Sequence, residues 1–194
     1  MLMLPINANA ANDNMINVTH NTPLIDGRCD ADEWQTATKI ALPAQTEVYL
    51  MHNNDALFVC AKGKANDYTV IDLYIEDADT GKLYNLHASA QLTERVFVDK
   101  KWSESVFWNH KDWSGFWVPY AGEKETEEGK RTLFLEGSHR EIQVLRKKFP
   151  HKRWQMMFRI SAVNHNGKYG AEFFYPQQAK DTDKSTWAKF TFAQ

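Results

Sequence analysis

The chain has 194 residues, 43% of them hydrophobic, with 23 basic side chains against 25 acidic ones, a balance that fits one globular domain able to bury a core without metal or dense disulfides. The near-zero net charge excludes a general nucleic-acid binder, which needs a basic excess to neutralise phosphates. No apolar run approaches the roughly 20 residues of a membrane-spanning helix, so no transmembrane segment is expected; composition leaves the oligomeric state unknown.

The chain opens on Met1-Leu2-Met3-Leu4-Pro5-Ile6 and reaches Ala8-Asn9-Ala10, the apolar run and A-x-A ending of a secretory signal without its charged start. Residues 1–15 are therefore read as a signal-peptide remnant or disordered tail, residues 16–194 as the single domain, and the location as periplasmic or secreted. Cys29 and Cys60 are the two cysteines. In an exported domain they suit one disulfide, while the apolar strand pattern around Cys60 equally suits a buried thiol. Asp30-Ala31-Asp32-Glu33 ahead of Trp34 has the spacing of a capping box and predicts one short helical turn.

From residue 46 the period is two. Strands are predicted over 46–52 and 57–61, joined by Asn53-Asn54-Asp55, and over 71–75 and 83–89, joined by Asp77-Ala78-Asp79-Thr80-Gly81-Lys82. Further strand patterns cover 92–98, 132–135, 140–145, 154–162 and 187–192. Short strands with little helical periodicity make the fold all-β, an antiparallel β-sandwich of jelly-roll or immunoglobulin-like type with short helical turns. Residues 100–130 lack a sustained strand period and contain Gly115, Gly122 and Gly129; they read as one long inserted loop, the kind of segment that carries function.

Ile25-Asp26-Gly27, then Asp32-Glu33-Trp34 and Ala37, then Thr46-Glu47-Val48 leading to Asn54-Asp55-Ala56-Leu57-Phe58-Val59, resemble the opening of family 9 carbohydrate-binding modules and of the wider DOMON-like β-sandwiches. Arg140-Glu141-Ile142-Gln143-Val144, Phe158-Arg159-Ile160 and Ser185-Thr186-Trp187-Ala188-Lys189-Phe190 are similar to the rest of that pattern, so the resemblance spans about residues 16 to 194. Phe58 stands where the family usually has Tyr, and residues 100–130 do not align. The resemblance implies the fold and a non-catalytic role in binding an oligo- or polysaccharide, with the contacts left open. It also implies an alternative, haem or another cofactor, for which Met51, His52, His87, Met156 and Met157 are candidate ligands, although Met in a strand usually fills a core.

Seven aromatics fall between residues 102 and 120: Trp102, Phe107, Trp108, Trp113, Phe116, Trp117 and Tyr120. Sugar C–H faces stack on such rings while amides and carboxylates orient the hydroxyls. Trp102, Trp108, Trp113, Trp117 and Tyr120 are thus the candidate platform, with Asn109 and Asp112 as polar partners. The competing reading is a satellite hydrophobic cluster at the end of the sandwich. Trp34, Trp154 and Trp187 sit in strand or cap patterns and are assigned to the core. Glu76, Asp77 and Asp79 offer calcium-like oxygens, but the twelve-residue calcium loop is missing and turn chemistry accounts for them; a structural calcium elsewhere is left open by analogy with sugar-binding modules. Arg146-Lys147-Lys148 and His151-Lys152-Arg153 form the densest basic segment, read as a solvated loop. No nucleophile elbow, phosphate loop or zinc motif occurs. A glycan-processing enzyme would have to draw its carboxylate pair from residues such as Glu104 and Asp112.

Overall fold

Alternation of apolar and polar side chains commits most of the chain to strands, as expected. The computed structural model describes residues 14–107, 111–135 and 137–194. In chain order the strands are β1 (Asn14–Val18), β2 (Thr38–Leu42), β3 (Thr46–His52), β4 (Ala56–Lys62), β5 (Val70–Glu76), β6 (Leu83–Ala88), β7 (Leu92–Val98), β8 (Lys101–Trp102), β9 (Val106–Phe107), β10 (Trp113–Gly115), β11 (Tyr120–Thr126), β12 (Gly129–Phe134), β13 (His139–Leu145), β14 (Arg153–His165), β15 (Lys168–Tyr175) and β16 (Ala188–Phe192).

They form a β-sandwich. One layer runs β2-β3-β4-β13-β10, the other β16-β14-β5-β6-β7 with β8 and β9 along its edge and β15 beside β14. Pairing within each layer is antiparallel. β1 joins the layers in parallel fashion: Asn14, Met15 and Ile16 lie opposite Phe190, Thr191 and Phe192 of β16, and Asn17 and Val18 opposite Met51 and His52 of β3. Asn14 and Met15, expected in the tail, therefore belong to the sandwich. The signal-like residues 1–13 lie outside the described residues.

The main core fills the space between the layers, where Val48, Leu50, Leu57, Val59, Ile142 and Val144 meet Ile71, Leu73, Ile75, Leu86, Phe158 and Phe190. A second cluster covers the outer face of β3 and β4: Met51, Phe58 and Cys60 lie under Trp34, Cys29, Ile25 and Ala37. The two cysteines are bridged, with Cα atoms 6.1 Å apart, so the covering segment is tied to β4. A third cluster lies on the outer face of the other layer, where Trp187 and Ala179 cover Tyr74, Leu83 and Met157.

The Ile-Asp-Gly and Trp motifs converge on one buried carboxylate. Glu141 on β13 is fully buried and accepts hydrogen bonds from the Asp26 amide (2.9 Å), the Gly27 amide (2.6 Å) and the Trp34 indole (3.2 Å). Burial pushes its pKa up to about 7 against the lowering pull of those donors. Gly27 has φ +81°, and a Cβ there would sit 2.2 Å from the Phe116 ring, so both conformation and space require glycine.

One local expectation holds and one changes. Residues 30–34 form the single turn expected and no helix beyond it: the Glu33 and Trp34 amides donate to the Asp30 carbonyl, and the Ala37 amide donates to the Trp34 carbonyl before Thr38 enters β2. Residues 100–130 carry short strands: β8 and β9 extend β7, β10 adds to β13, and β11 forms a separate hairpin with β12. β8, β9 and β10 have only two or three residues, too few to display a period, and the seven-residue β11 is almost wholly exposed, so no apolar alternation marks it.

Candidate functional site

Because Ile71, Leu73 and Ile75 face the core, Asp72 and Tyr74 face outward. The same alternation turns Asn85 and His87 of β6 outward, and Met157 and Arg159 of β14. Register then sets Phe174, Arg159, Asp72, His87, Thr93 and Phe107 side by side in one row across six strands. A neighbouring row holds Met157, Tyr74, Asn85 and Arg95, and beyond it Phe97 pairs with Trp102.

These outward groups form a continuous polar network. Asp72, only 2% exposed, accepts from Asn85 Nδ2 at 3.2 Å, lies 2.8 Å from His87 Nδ1 and pairs with Arg159 Nη1 at 3.1 Å. Burial penalises its carboxylate, but the His87 and Asn85 hydrogen bonds and the Arg159 charge outweigh it and hold the pKa below the ordinary value. Arg159 is also held by Glu172 at 2.7 Å. Arg95 donates to Asn85 Oδ1 at 3.2 Å and lies 5.2 Å from the Trp102 ring centre. Trp102 packs edge-on against Tyr74 and donates its indole N–H to Asp181 at 3.1 Å. Two hollows of about 340 and 410 Å³ open on this face and share Arg159. Cations and carboxylates alternate across it, so its charge is balanced. Each guanidinium is already anchored, which lowers the ordering cost of binding a polar ligand.

The aromatic segment splits. Trp102 belongs to this face, and Phe107, 72% exposed, ends its long row. Trp113 does not join them: it is buried in the main core, and its indole N–H bonds Glu94 at 3.0 Å, so it is unavailable for stacking. Its strand pairs with β13, which turns its ring between the layers. Asp112 pairs with Lys148 at 2.9 Å, and Lys148 also pairs with Glu94 at 3.1 Å. That makes Lys148, at 9% side-chain exposure, an interior cation rather than part of a solvated loop. Trp117 is exposed and shares a hollow of about 170 Å³ with Phe107, Gln91 and Leu92. Tyr120 is exposed at the start of β11. Trp108 and Asn109 lie outside the described residues. Trp34, Trp154 and Trp187 are buried, as expected.

The other candidate chemistries find structural roles. Asp77 accepts from the Thr80 hydroxyl and the Asp79 amide, Glu76 pairs with Lys184, and Asp79 pairs with His151. Among the described residues, no group of three His, Cys, Asp or Glu side chains is placed to hold a metal ion. The proposed haem ligands scatter: Met51 lies under Trp34, Met156 in the main core, Met157 beside Trp187 and His52 against Phe192. They do not fit one haem. His87 Nε2 lies 2.8 Å from Ser89 Oγ, so Asp72, His87 and Ser89 form a relay of the kind that activates a serine. Its surroundings are those of a turn, however. The Ser89 amide donates to Gln91 O at 2.9 Å and the Gln91 amide to Ser89 Oγ at 3.2 Å, which removes both as oxyanion donors.

No protein-family model matches the chain, and no curated protein matches it significantly in sequence. Among solved structures, a protein of Bacteroides uniformis, itself only provisionally described as carbohydrate-binding, aligns with TM-score 0.55 and 8% identity over 92% of this chain and 98% of its own. The two share a fold that extends over nearly their whole lengths.

Proposed function

We propose that this domain is a non-catalytic carbohydrate-binding module of an exported protein, and that the outward face of β14, β5, β6 and β7 receives the sugar. The observation that carries the reading is the preorganised network from Glu172 through Arg159, Asp72 and Asn85 to Arg95 and Trp102. Sugar hydroxyls both donate and accept, and they suit fixed arrays of guanidinium, amide and carboxylate groups beside an aromatic wall. Balanced charge favours a neutral sugar. Two independent lines support the reading: the resemblance to family 9 modules, and the fold shared with a protein provisionally described as carbohydrate-binding. Export is supported by the signal-like start and by the Cys29–Cys60 bridge.

A glycan array followed by tryptophan-fluorescence titration tests the proposal. Saturable binding of a neutral mono- or oligosaccharide, weakened at least tenfold by Trp102→Ala, is expected; absence of binding to every neutral glycan refutes it. Purified protein is expected to release neither acetate from acetylated glycans nor reducing ends. Acetate release lost in Ser89→Ala would reassign the relay to catalysis.

A further inference from the structure

A second cleft lies at the end of the sandwich, between the β11–β12 hairpin, the β4–β5 connection at Tyr68 and β15 at Tyr169, with a volume of about 640 Å³. Its chemistry differs from that of the open face. Lys124, Arg131 and Arg140 line it, and no acidic side chain does among the described residues. The hairpin sorts its charges to this end. Lys124 and Thr126 of β11 and Arg131, Thr132, Leu133 and Phe134 of β12 line the cleft, whereas Glu123, Glu125 and Lys130 do not, and Lys130 and Glu123 pair with each other at 3.5 Å. Lys124 and Arg131 are direct cross-strand partners, an arrangement of like charges that weakens a hairpin.

Arg140 adds a buried charge behind them. It is 1% exposed and donates to the carbonyls of Gly137, His139 and Tyr68. Its Nε has no hydrogen-bond partner, and among the described residues no carboxylate pairs with it. A guanidinium held by carbonyl dipoles and by no carboxylate among the described residues projects its field into the cleft. Apart from the hydroxyls of Ser89, Thr126 and Thr132, the remaining lining is apolar and aromatic, including Val70, Val118 and Ala162 with the rings of Tyr68 and Tyr169, which are 44% and 62% exposed and meet edge-on at 6.1 Å.

We propose that this cleft is a second binding site, selective for an anionic carbohydrate whose carboxylate or sulfate groups meet Lys124 and Arg131 while a ring face packs on Tyr169. Three cations around apolar walls match a ligand that is anionic at its edges and apolar on its faces. The near-zero net charge of the chain disfavours nucleic acid as the occupant. The cleft adjoins the neutral-sugar face at Ser89, which lines it and lies 2.8 Å from His87 Nε2, but Lys124, Arg131 and Tyr169 lie outside that face.

Calorimetric titration of the whole chain tests the proposal with three probes: oligogalacturonate as the carboxylated glycan, chondroitin sulfate oligosaccharide as the sulfated one, and a neutral oligosaccharide of equal length. The Arg159→Gln chain, whose open face is disabled for neutral sugar, is expected to bind at least one anionic probe tenfold or more tightly than the neutral one, and the tighter of the two identifies the anion. The doubly substituted Lys124→Gln, Arg131→Gln chain, changed only on the exposed hairpin, is expected to lose at least tenfold for that probe. Tyr169→Ala is expected to lose several-fold. Circular dichroism confirms that each variant is folded, and Arg159→Gln on the other face is expected to leave anionic binding unchanged. Equal binding of neutral and anionic probes by the Arg159→Gln chain, no effect of the double substitution, or full displacement by single-stranded oligonucleotide at matched concentration would each overturn it.

Discussion

On the outer face of β3 and β4 the outward residues Met51, Phe58 and Cys60 are apolar, and the segment carrying Ile25, Cys29, Trp34 and Ala37 closes over them. On the outer face of β5, β6 and β14 the outward residues Asp72, Asn85, His87 and Arg159 are polar. There the covering chain around Ala179 and Trp187 stops at Tyr74, Leu83 and Met157. The difference is physical. An apolar strand face gains about 25 cal/mol for each Å² removed from water and so recruits a cover, whereas a bonded network of ions would lose its hydration under one. The covered face serves stability, and the open face keeps its polar network uncovered.

Core and surface tryptophans of the same segment give the largest expected contrast. Trp113→Ala should cost about 3–5 kcal/mol in urea unfolding through cavity formation, and it also leaves Glu94 without its indole donor. Removing the bridge with Cys29→Ala and Cys60→Ala should cost about 3–4 kcal/mol for a loop closed across 31 residues. Neutral-sugar binding should persist in the folded fraction, because the bridge anchors only the covered face. A pH effect of comparable size comes from Glu141. Its folded pKa of about 7 lies above the ordinary 4.5, so the folded chain holds a proton that the unfolded chain has released. Stability should therefore fall as pH rises from about 4.5 to 7, by about 3 kcal/mol, and Glu141→Gln should flatten that slope. The smallest change is expected at Trp117, 46% exposed, where replacement by Ala should cost less stability than Trp113→Ala does.

The strands of the layers were legible because their alternation is long: β3 and β7 fall on the residues that the period marks. The motif residues Asp26, Gly27 and Trp34 were legible as a pattern, yet their common partner Glu141 was hidden 107 or more residues away. The candidate site was legible only in part. The aromatic run pointed to Trp102, but Trp113 joined the core because a three-residue strand paired it with β13. Asp72, His87 and Arg159 did carry a signal, a charged or polar residue at alternate positions within otherwise apolar strands. Without the register of β14, β5 and β6, nothing in the chain order places them in one row.

The most direct test compares two substitutions by calorimetric titration with the tightest neutral glycan: Arg159→Gln on the open face and Trp34→Phe on the covered one. Arg159→Gln should weaken binding at least tenfold while Trp34→Phe, although destabilised, binds as the parent does. Equal affinity of the parent and Arg159→Gln, or loss of binding in a folded Trp34→Phe chain, would contradict the assignment of the ligand to the open face.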